Sequence, residues 1–321
     1  MMKNMFIMTT LVFALGLGTP SANGNDLYQH LQDVSVTVKA AGGEGSGVII
    51  TREVEVAPNK IDKVNFVWTA AHVVDGLKSS RTIIKDGKSI KIVEFKDAQI
   101  VKELVEEGRR VGEIKMEAKV VKYSDAENGE DLALLMVRKK GFIDKSVTFY
   151  KADGKPVAIG TELYHVGSLL GQVGSNSMTR GICSQVGRVL DLGSGDGPVF
   201  DQTTVTAFPG SSGGGVFLSE RSDDKAGQYM GMLVRGAGET FNLIVPVRRM
   251  REYAKKEGVL WAIDTDVKVP ALEDVLKSSP EDSTNTESKD IKNITKDSVK
   301  FPVLPLRNDR KEKTLDTKHE N

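Results

Sequence analysis

One cysteine, Cys183, stands in a chain of 321 residues. No intrachain disulfide can form, and no cysteine-based zinc site can be assembled. Histidine is nearly as scarce. His30, His72, His165 and His319 are scattered with none of the spacings that metal ligands show, so neither a metal nor a cofactor is called for. The net charge is +0, from 44 basic and 44 acidic residues, which leaves no global electrostatic case for nucleic acid or an anionic membrane. The apolar run Met5 to Gly18 is too short to span a bilayer comfortably. The glycine-rich stretch Gly42 to Gly47 leads into β-branched residues rather than a helix, against a dinucleotide site.

What remains is an ordinary soluble composition, 39% hydrophobic and 27% charged, with a patterned interior. Lys3, the uncharged run Met5 to Gly18 and the small residues Thr19 to Gly24 form an export leader, so residues 1–24 are read as a signal peptide. No cysteine follows that run, which excludes a lipoprotein anchor, and no stable membrane span is expected once the leader is removed. The destination is the periplasm or the exterior. Asp26 to Gln32 suits a short helix. Alternating or continuous apolar runs then predict strands at Val34–Val38, Val48–Thr51, Val64–Thr69, Thr82–Ile84, Ile90–Phe95, Ala118–Val121 and Leu132–Val137. Ile100, Val101, Leu104 and Val105 predict a short amphipathic helix between them.

Lys139 to Lys155 reads as a crossing between two halves. The second half predicts strands at Pro156–Ile159, Glu162–Val166, Met178–Val189, Thr203–Ala207, Val216–Leu218, Tyr229–Val234 and Phe241–Val245, with a closing helix at Val247–Tyr253. Many short strands joined by glycine-rich turns give an all-β fold, a sandwich or barrels. From about Pro270 only Phe301 is aromatic and polar residues dominate, so the tail buries too little apolar surface to offset its ordering entropy. The segment Phe301–Leu306 and the charged region 85–117 are the places where a partner would dock.

Three strings carry chemistry: Thr69-Ala70-Ala71-His72-Val73, Asp131-Leu132-Ala133-Leu134-Leu135, and Pro209-Gly210-Ser211-Ser212-Gly213-Gly214. A serine hydroxyl needs an adjacent base to attack, an imidazole is the natural one, and a carboxylate orients the imidazole. His72 and Asp131 sit at ends of expected strands, where a rigid scaffold projects them. The amides of Gly210 and Ser212 can converge on a developing oxyanion, typically worth about 3–4 kcal/mol per donor. The chain order His, Asp, Ser differs from the Ser, Asp, His of α/β-hydrolase esterases.

Together these strings resemble the signatures of trypsin-fold serine proteases, and more narrowly the bacterial HtrA/Deg type. Gly45-Ser46-Gly47-Val48-Ile49-Ile50, Val166-Gly167-Ser168-Leu169-Leu170-Gly171, Thr179-Arg180-Gly181-Ile182-Cys183-Ser184, Gln202-Thr203-Thr204 and Phe241 to Val247 agree with it, over about residues 34–255. The resemblance implies two antiparallel six-stranded β-barrels with the active site between them, and short helices at the ends and in an insertion. The first barrel would occupy residues 25–145 with a charged insertion near 85–117, the second 146–262 with the closing helix, and a polar, mostly disordered tail 263–321. It implies catalytic His72 (general base, then acid), Asp131 (orienting carboxylate) and Ser212 (nucleophile), an oxyanion hole at Gly210 and Ser212, and substrate-binding Thr206, Val234, Arg235 and Gly236. The function implied is an exported serine endopeptidase acting on polypeptides through an acyl-enzyme; the alternative is a protease-fold binding module with a latent triad.

Departures from the family sharpen this. The gap from His72 to Asp131 is longer than the HtrA-type spacing, and no PDZ-like pattern follows the protease region. Ser211 stands where digestive enzymes carry an aspartate, so activation by a freshly cut N-terminus is not expected. Thr206 stands where trypsin-type enzymes carry the aspartate that reads basic side chains. An uncharged P1 residue of small or medium size follows.

Overall fold

The computed structural model describes residues 24–278, apart from 86–87, 107–108, 128, 152–154, 190–196 and 237–238. Residues 1–23 of the expected leader and the segment 301–306 lie outside the described residues. A lead-in helix α1 (Gly24–Asp33) is followed by β1 (Ser35–Ala40), β2 (Gly43–Ala57), β3 (Lys60–Thr69) and a one-turn helix α2 (Ala71–Val74). A hairpin of β4 (Lys78–Lys85) and β5 (Lys88–Phe95) comes next, then β6 (Ala98–Glu106), β7 (Arg109–Ser124) and β8 (Leu132–Val137). The second half comprises β9 (Glu162–Gly167), β10 (Ser177–Val189), β11 (Val199–Thr203), β12 (Gly215–Leu218), β13 (Tyr229–Gly236) and β14 (Asn242–Pro246). Helices α3 (Val247–Lys256) and α4 (Leu272–Lys277) close it.

Two closed barrels result, with strand orders β1-β2-β3-β8-β7-β6 and β10-β11-β14-β13-β12-β9, and every pairing within them is antiparallel. Closure leaves neither barrel with an unpaired edge. Val48, Ile49, Phe66, Trp68, Leu132 and Leu134 belong to the core around the first barrel and are fully buried, Phe66 and Trp68 packing their rings on Trp261 and Tyr253. Burying a side chain such as Phe66 contributes about 1.5–3 kcal/mol. Among the described residues no helix is long and apolar enough to cross a membrane.

Several local expectations change. Ile100 to Val105 form part of β6, not a helix, because their backbone groups pair with β1 and β7, and Leu104 is 40% exposed. Ladder partners distant in sequence override a short apolar period. The region near 85–117 accordingly holds no helix among its described residues: it is built from the β4–β5 hairpin, which stands outside the barrel, and the long β6–β7 ribbon. Pro156–Ile159 is not a strand; Pro156 has no N–H to give a ladder, and Ile159 is exposed. β11 ends at Thr203, so residues 204–207 leave the sheet.

The packed structure continues past residue 262. Trp261, Ile263, Val269 and Val275 are buried, and α4 lies inside what the composition assigns to a disordered tail. Arg52 of β2 fastens this return: its guanidinium donates to the carbonyls of Trp261 (2.5 Å), Asp264 (3.0 Å), Thr265 (3.2 Å) and Val267 (2.8 Å). Trp68 adds a bond from Nε1 to the Ala262 carbonyl at 3.0 Å. One charged side chain thus satisfies four carbonyls that no helix or sheet would otherwise pair.

Candidate active site

β3 and β8 lie side by side with Thr69 opposite Ala133. The register places the residues just beyond β3 next to those just before β8, which is why His72 on α2 meets Asp131. Both carboxylate oxygens of Asp131 lie 3.0 Å from His72 Nδ1, and Oδ1 also accepts the His72 backbone N–H at 3.2 Å. Asp131 is 2% exposed, whereas the His72 side chain is 34% exposed, so the carboxylate is shielded and the imidazole opens outward. A proton on Nδ1 leaves Nε2 free to accept one.

Asp131 has φ 54°, in the left-handed region that aspartate tolerates better than most side chains. The loop before it is heavily tied. The Asp131 N–H donates to the Asp125 carbonyl at 3.1 Å and the Glu130 N–H to Ser124 Oγ at 2.8 Å. Two arginines of the second barrel reach across to this loop. Arg249 of α3, 8% exposed, pairs through Nε with the Glu130 carboxylate and donates from Nη2 to the Glu130 carbonyl at 3.2 Å. Arg235 of β13 donates to the Ala126 carbonyl at 2.9 Å. Both guanidinium groups face the ring of Phe200, at 6.0 Å for Arg235 and 4.8 Å for Arg249. The sequence reading placed Arg235 among the substrate-binding residues; its side chain reaches the aspartate loop.

The serine segment begins with a turn. Pro209 occupies its second position, Gly210 its third with φ 94°, and the Ser211 N–H closes it onto the Phe208 carbonyl at 2.9 Å. This is the type II geometry, which requires positive φ at the third residue. Every carbonyl from 209 to 212 is engaged. Pro209 accepts from Leu170 N (2.7 Å), Gly210 from Ser46 Oγ (2.7 Å), Ser211 from Gly214 N (3.0 Å) and Ser212 from Ser46 N (2.7 Å). The amides of Gly210 and Ser212 donate to no acceptor among the described residues. Ser211 is fully buried and its Oγ accepts from Phe208 N at 3.1 Å, while Ser212 is partly exposed.

Gly213 explains how close the two barrels come. A Cβ there would lie 2.1 Å from the Ser46 carbonyl oxygen and 3.0 Å from Ala70 N, two residues before His72. Only a glycine lets the serine segment pass this near the histidine helix. Among the described residues no hydrogen bond joins His72 to Ser212. Catalytic hydrogen bonds commonly tighten only once substrate is bound.

Asn242 of β14 reaches both strings in which substrate contacts were expected. Its Nδ2 donates to the Val205 carbonyl at 2.7 Å, and a Cβ at Gly236 would lie 2.2 Å from its Oδ1. The ladder sets Gly236 opposite Asn242, the Thr206 carbonyl accepts from Thr179 Oγ1 at 2.8 Å, and Val234 is buried. Asn242, Ser46 and Arg249 were not singled out by sequence reasoning. The first two lay within quoted strings, without a role attached.

Beneath the serine segment lies His165 of β9, fully buried, with Nδ1–H donating to the Gly215 carbonyl at 3.0 Å and Nε2 unpartnered among the described residues. Burial pulls its pKa down from 6.5 to about 4. In the unfolded chain the imidazole binds a proton below its ordinary pKa of 6.5, and the folded protein resists doing so until about 4. Stability therefore falls as pH drops through that window, by about 3 kcal/mol in all. Denaturant unfolding of wild type and His165→Gln from pH 7 to 4 checks this. The wild type should lose that much more stability than the variant, and parallel curves would refute it.

The family described as trypsin-like peptidase domain matches residues 45–222. Among curated proteins, the serine protease Do-like HtrA of Lactobacillus helveticus is 26% identical over 189 residues, which is 59% of this chain and 35% of that protein. The chain's match thus spans about a third of that relative's length. Among solved structures, an HtrA-type protease, a mutated AlgW with a tripeptide, gives a TM-score of 0.50 at 18% identity. That match covers 74% of this chain and 64% of the other. The inactive serine-to-alanine form of Rv3671c from M. tuberculosis gives 0.49 at 18% identity, covering 75% and 94%. At this identity the AlgW likeness speaks for the two-barrel fold alone.

Proposed function

This chain belongs to the trypsin-like peptidase family, and from that premise we propose that it is an exported serine endopeptidase with a His72–Asp131–Ser212 triad. The observation that carries the reading is the buried Asp131 carboxylate on His72 Nδ1, together with two unengaged amides, of Gly210 and Ser212, on the turn that holds Ser212. Ser212 Oγ attacks the carbonyl carbon of the scissile peptide bond as His72 Nε2 takes the hydroxyl proton. Asp131 offsets the positive charge that the imidazole gains. The carbonyl oxygen becomes an oxyanion facing the Gly210 and Ser212 amides. Collapse breaks the C–N bond, His72 gives its proton to the departing amine, and an ester remains on Ser212. Water then attacks that ester with His72 again as base, releasing the new carboxylate end and restoring the hydroxyl.

Thr206 offers a hydroxyl where a basic P1 side chain would need a buried carboxylate, which supports an uncharged P1 residue of small or medium size. The leader-like N-terminus supports export to the periplasm or beyond. The missing His72–Ser212 hydrogen bond favours the second reading, a latent triad in a binding module, and one experiment separates the two. A fluorophosphonate should label the folded wild-type chain and Ser211→Ala, but not Ser212→Ala. Label retained by Ser212→Ala, or absent from folded wild type, would overturn the endopeptidase reading.

A further inference from the structure

Ser46 of β2 belongs to the first barrel, yet its N–H and its hydroxyl are spent on the second. It is fully buried. Its N–H donates to the Ser212 carbonyl at 2.7 Å, and its own carbonyl accepts from Thr69 Oγ1 at 2.7 Å, three residues before His72. Its Oγ donates to the Gly210 carbonyl at 2.7 Å and accepts the Ser168 N–H at 2.7 Å. Because the Ser168 N–H can only donate, the hydroxyl proton of Ser46 is committed to Gly210. The strand reaches this position only because Gly45 beside it has no side chain: a Cβ there would lie 2.5 Å from Val73 Cγ2 and 3.0 Å from the Ser212 carbonyl.

These bonds fix the two peptide planes that flank Gly210. The Leu170 N–H holds the Pro209 carbonyl, and in a trans peptide the Gly210 N–H then points the opposite way. Ser46 holds the next carbonyl, that of Gly210, so the turn cannot rotate as a unit about its ends. A glycine at φ 94° has no side chain of its own to resist such rotation. The restraint has to come from outside the turn.

We propose that Ser46 is a positioning residue for the oxyanion hole, fixing the Gly210–Ser211 peptide so that the Gly210 and Ser212 amides stay aimed at one point. The inference rests on the endopeptidase reading above. It goes beyond that reading in assigning the hole's geometry to a side chain of the opposite barrel, one that touches neither substrate nor the reacting atoms. Since the same residue also bonds Thr69 and Ser212, the histidine helix, the nucleophile and the hole share a single reference point.

The test uses the full chain and an internally quenched peptide with alanine or valine at P1. Ser46→Ala should lower kcat by about 10- to 100-fold, less than the roughly 10²–10³ that deleting an oxyanion donor outright costs. KM should stay within about twofold. A peptidyl trifluoromethyl ketone, whose hemiketal oxyanion sits in the hole, should bind more weakly by the same factor as kcat/KM falls. Ser168→Ala is the structural control. It removes a hydrogen bond of the same buried cluster, Thr37 Oγ1 to Ser168 Oγ at 2.5 Å, without touching Gly210, and its kcat should stay within about threefold of wild type.

Equal losses in the two variants, or a Ser46→Ala enzyme as fast as wild type, overturn the inference. Should Ser46→Ala fail to fold, Ser46→Cys keeps the volume while weakening the donor, and the same comparison is read on it. A folded wild type that never turns over the peptide means the endopeptidase reading has failed. A wild type that turns it over, matched by Ser46→Ala, means that only the assignment of Ser46 has failed.

Discussion

Replacing Asp131 by asparagine should lower kcat by roughly 10⁴-fold while the protein still folds. The argument starts from the contacts: two carboxylate oxygens on His72 Nδ1 at 3.0 Å, one of which also holds the His72 backbone N–H at 3.2 Å. An asparagine has one acceptor oxygen and an NH₂ that only donates. Keeping the backbone bond turns the NH₂ toward Nδ1, which must then accept, and the ring proton moves to Nε2. In that tautomer His72 cannot take the proton of Ser212. A 10⁴-fold loss corresponds to about 5.4 kcal/mol of barrier. The fold should tolerate the change, because asparagine adopts φ 54° as readily as aspartate and presents no charge for burial to penalise. Steady-state kinetics with a thermal melt on the same sample checks both halves. A loss below about tenfold in a folded variant would mean that the pair is not catalytic.

The sequence exposes this pair because its strings are local. Thr69 to Val73 and Asp131 to Leu135 are each a strand end with one titratable side chain, and antiparallel pairing of those strands brings the ends together. Strand alternation predicts most of both barrels for the same reason: every second side chain faces the core. What the sequence hides is whatever depends on distant partners. Ile100 to Val105 look helical in isolation, yet become β6 because β7 pairs along the whole stretch and β1 takes up its start, at Ile100 and Val101. Residues 263–278 open a stretch that reads as polar and mostly disordered, yet Arg52, far away in β2, pairs carbonyls that would otherwise keep part of this segment in water. Arg235 sits in a string that suggests substrate contact, and only the folded chain reveals Ala126 within its reach. Ser46 and Asn242 are small polar residues inside quoted strings, and their work is done on backbone atoms that no side-chain pattern encodes.

On the endopeptidase reading, Gly210→Ala should cost roughly 10²–10³ in kcat with little change in KM, the signature of an interaction made in the transition state alone. Two separate conflicts force this. At φ 94° a side chain meets backbone strain of about 1–3 kcal/mol. A Cβ built there would also lie 2.2 Å from the Ser168 carbonyl oxygen and 2.6 Å from Gly171 N, the two ends of a hydrogen bond 2.9 Å long. Both obstacles are main chain, so no rotamer change relieves them. The neighbouring segment cannot withdraw freely either, since Ser168 N is tied to Ser46 and Leu170 N to Pro209. Relief therefore comes from the turn itself, and turning it swings the Gly210 amide away from the oxyanion. His72 and Asp131 are untouched by this change, so fluorophosphonate labelling of Ser212 should slow but persist, whereas hydrolysis of the quenched peptide falls by the full factor. An unchanged kcat in Gly210→Ala would show that the Gly210 amide is no part of the hole. An equal loss in kcat and in substrate affinity would instead locate the damage in the substrate cleft.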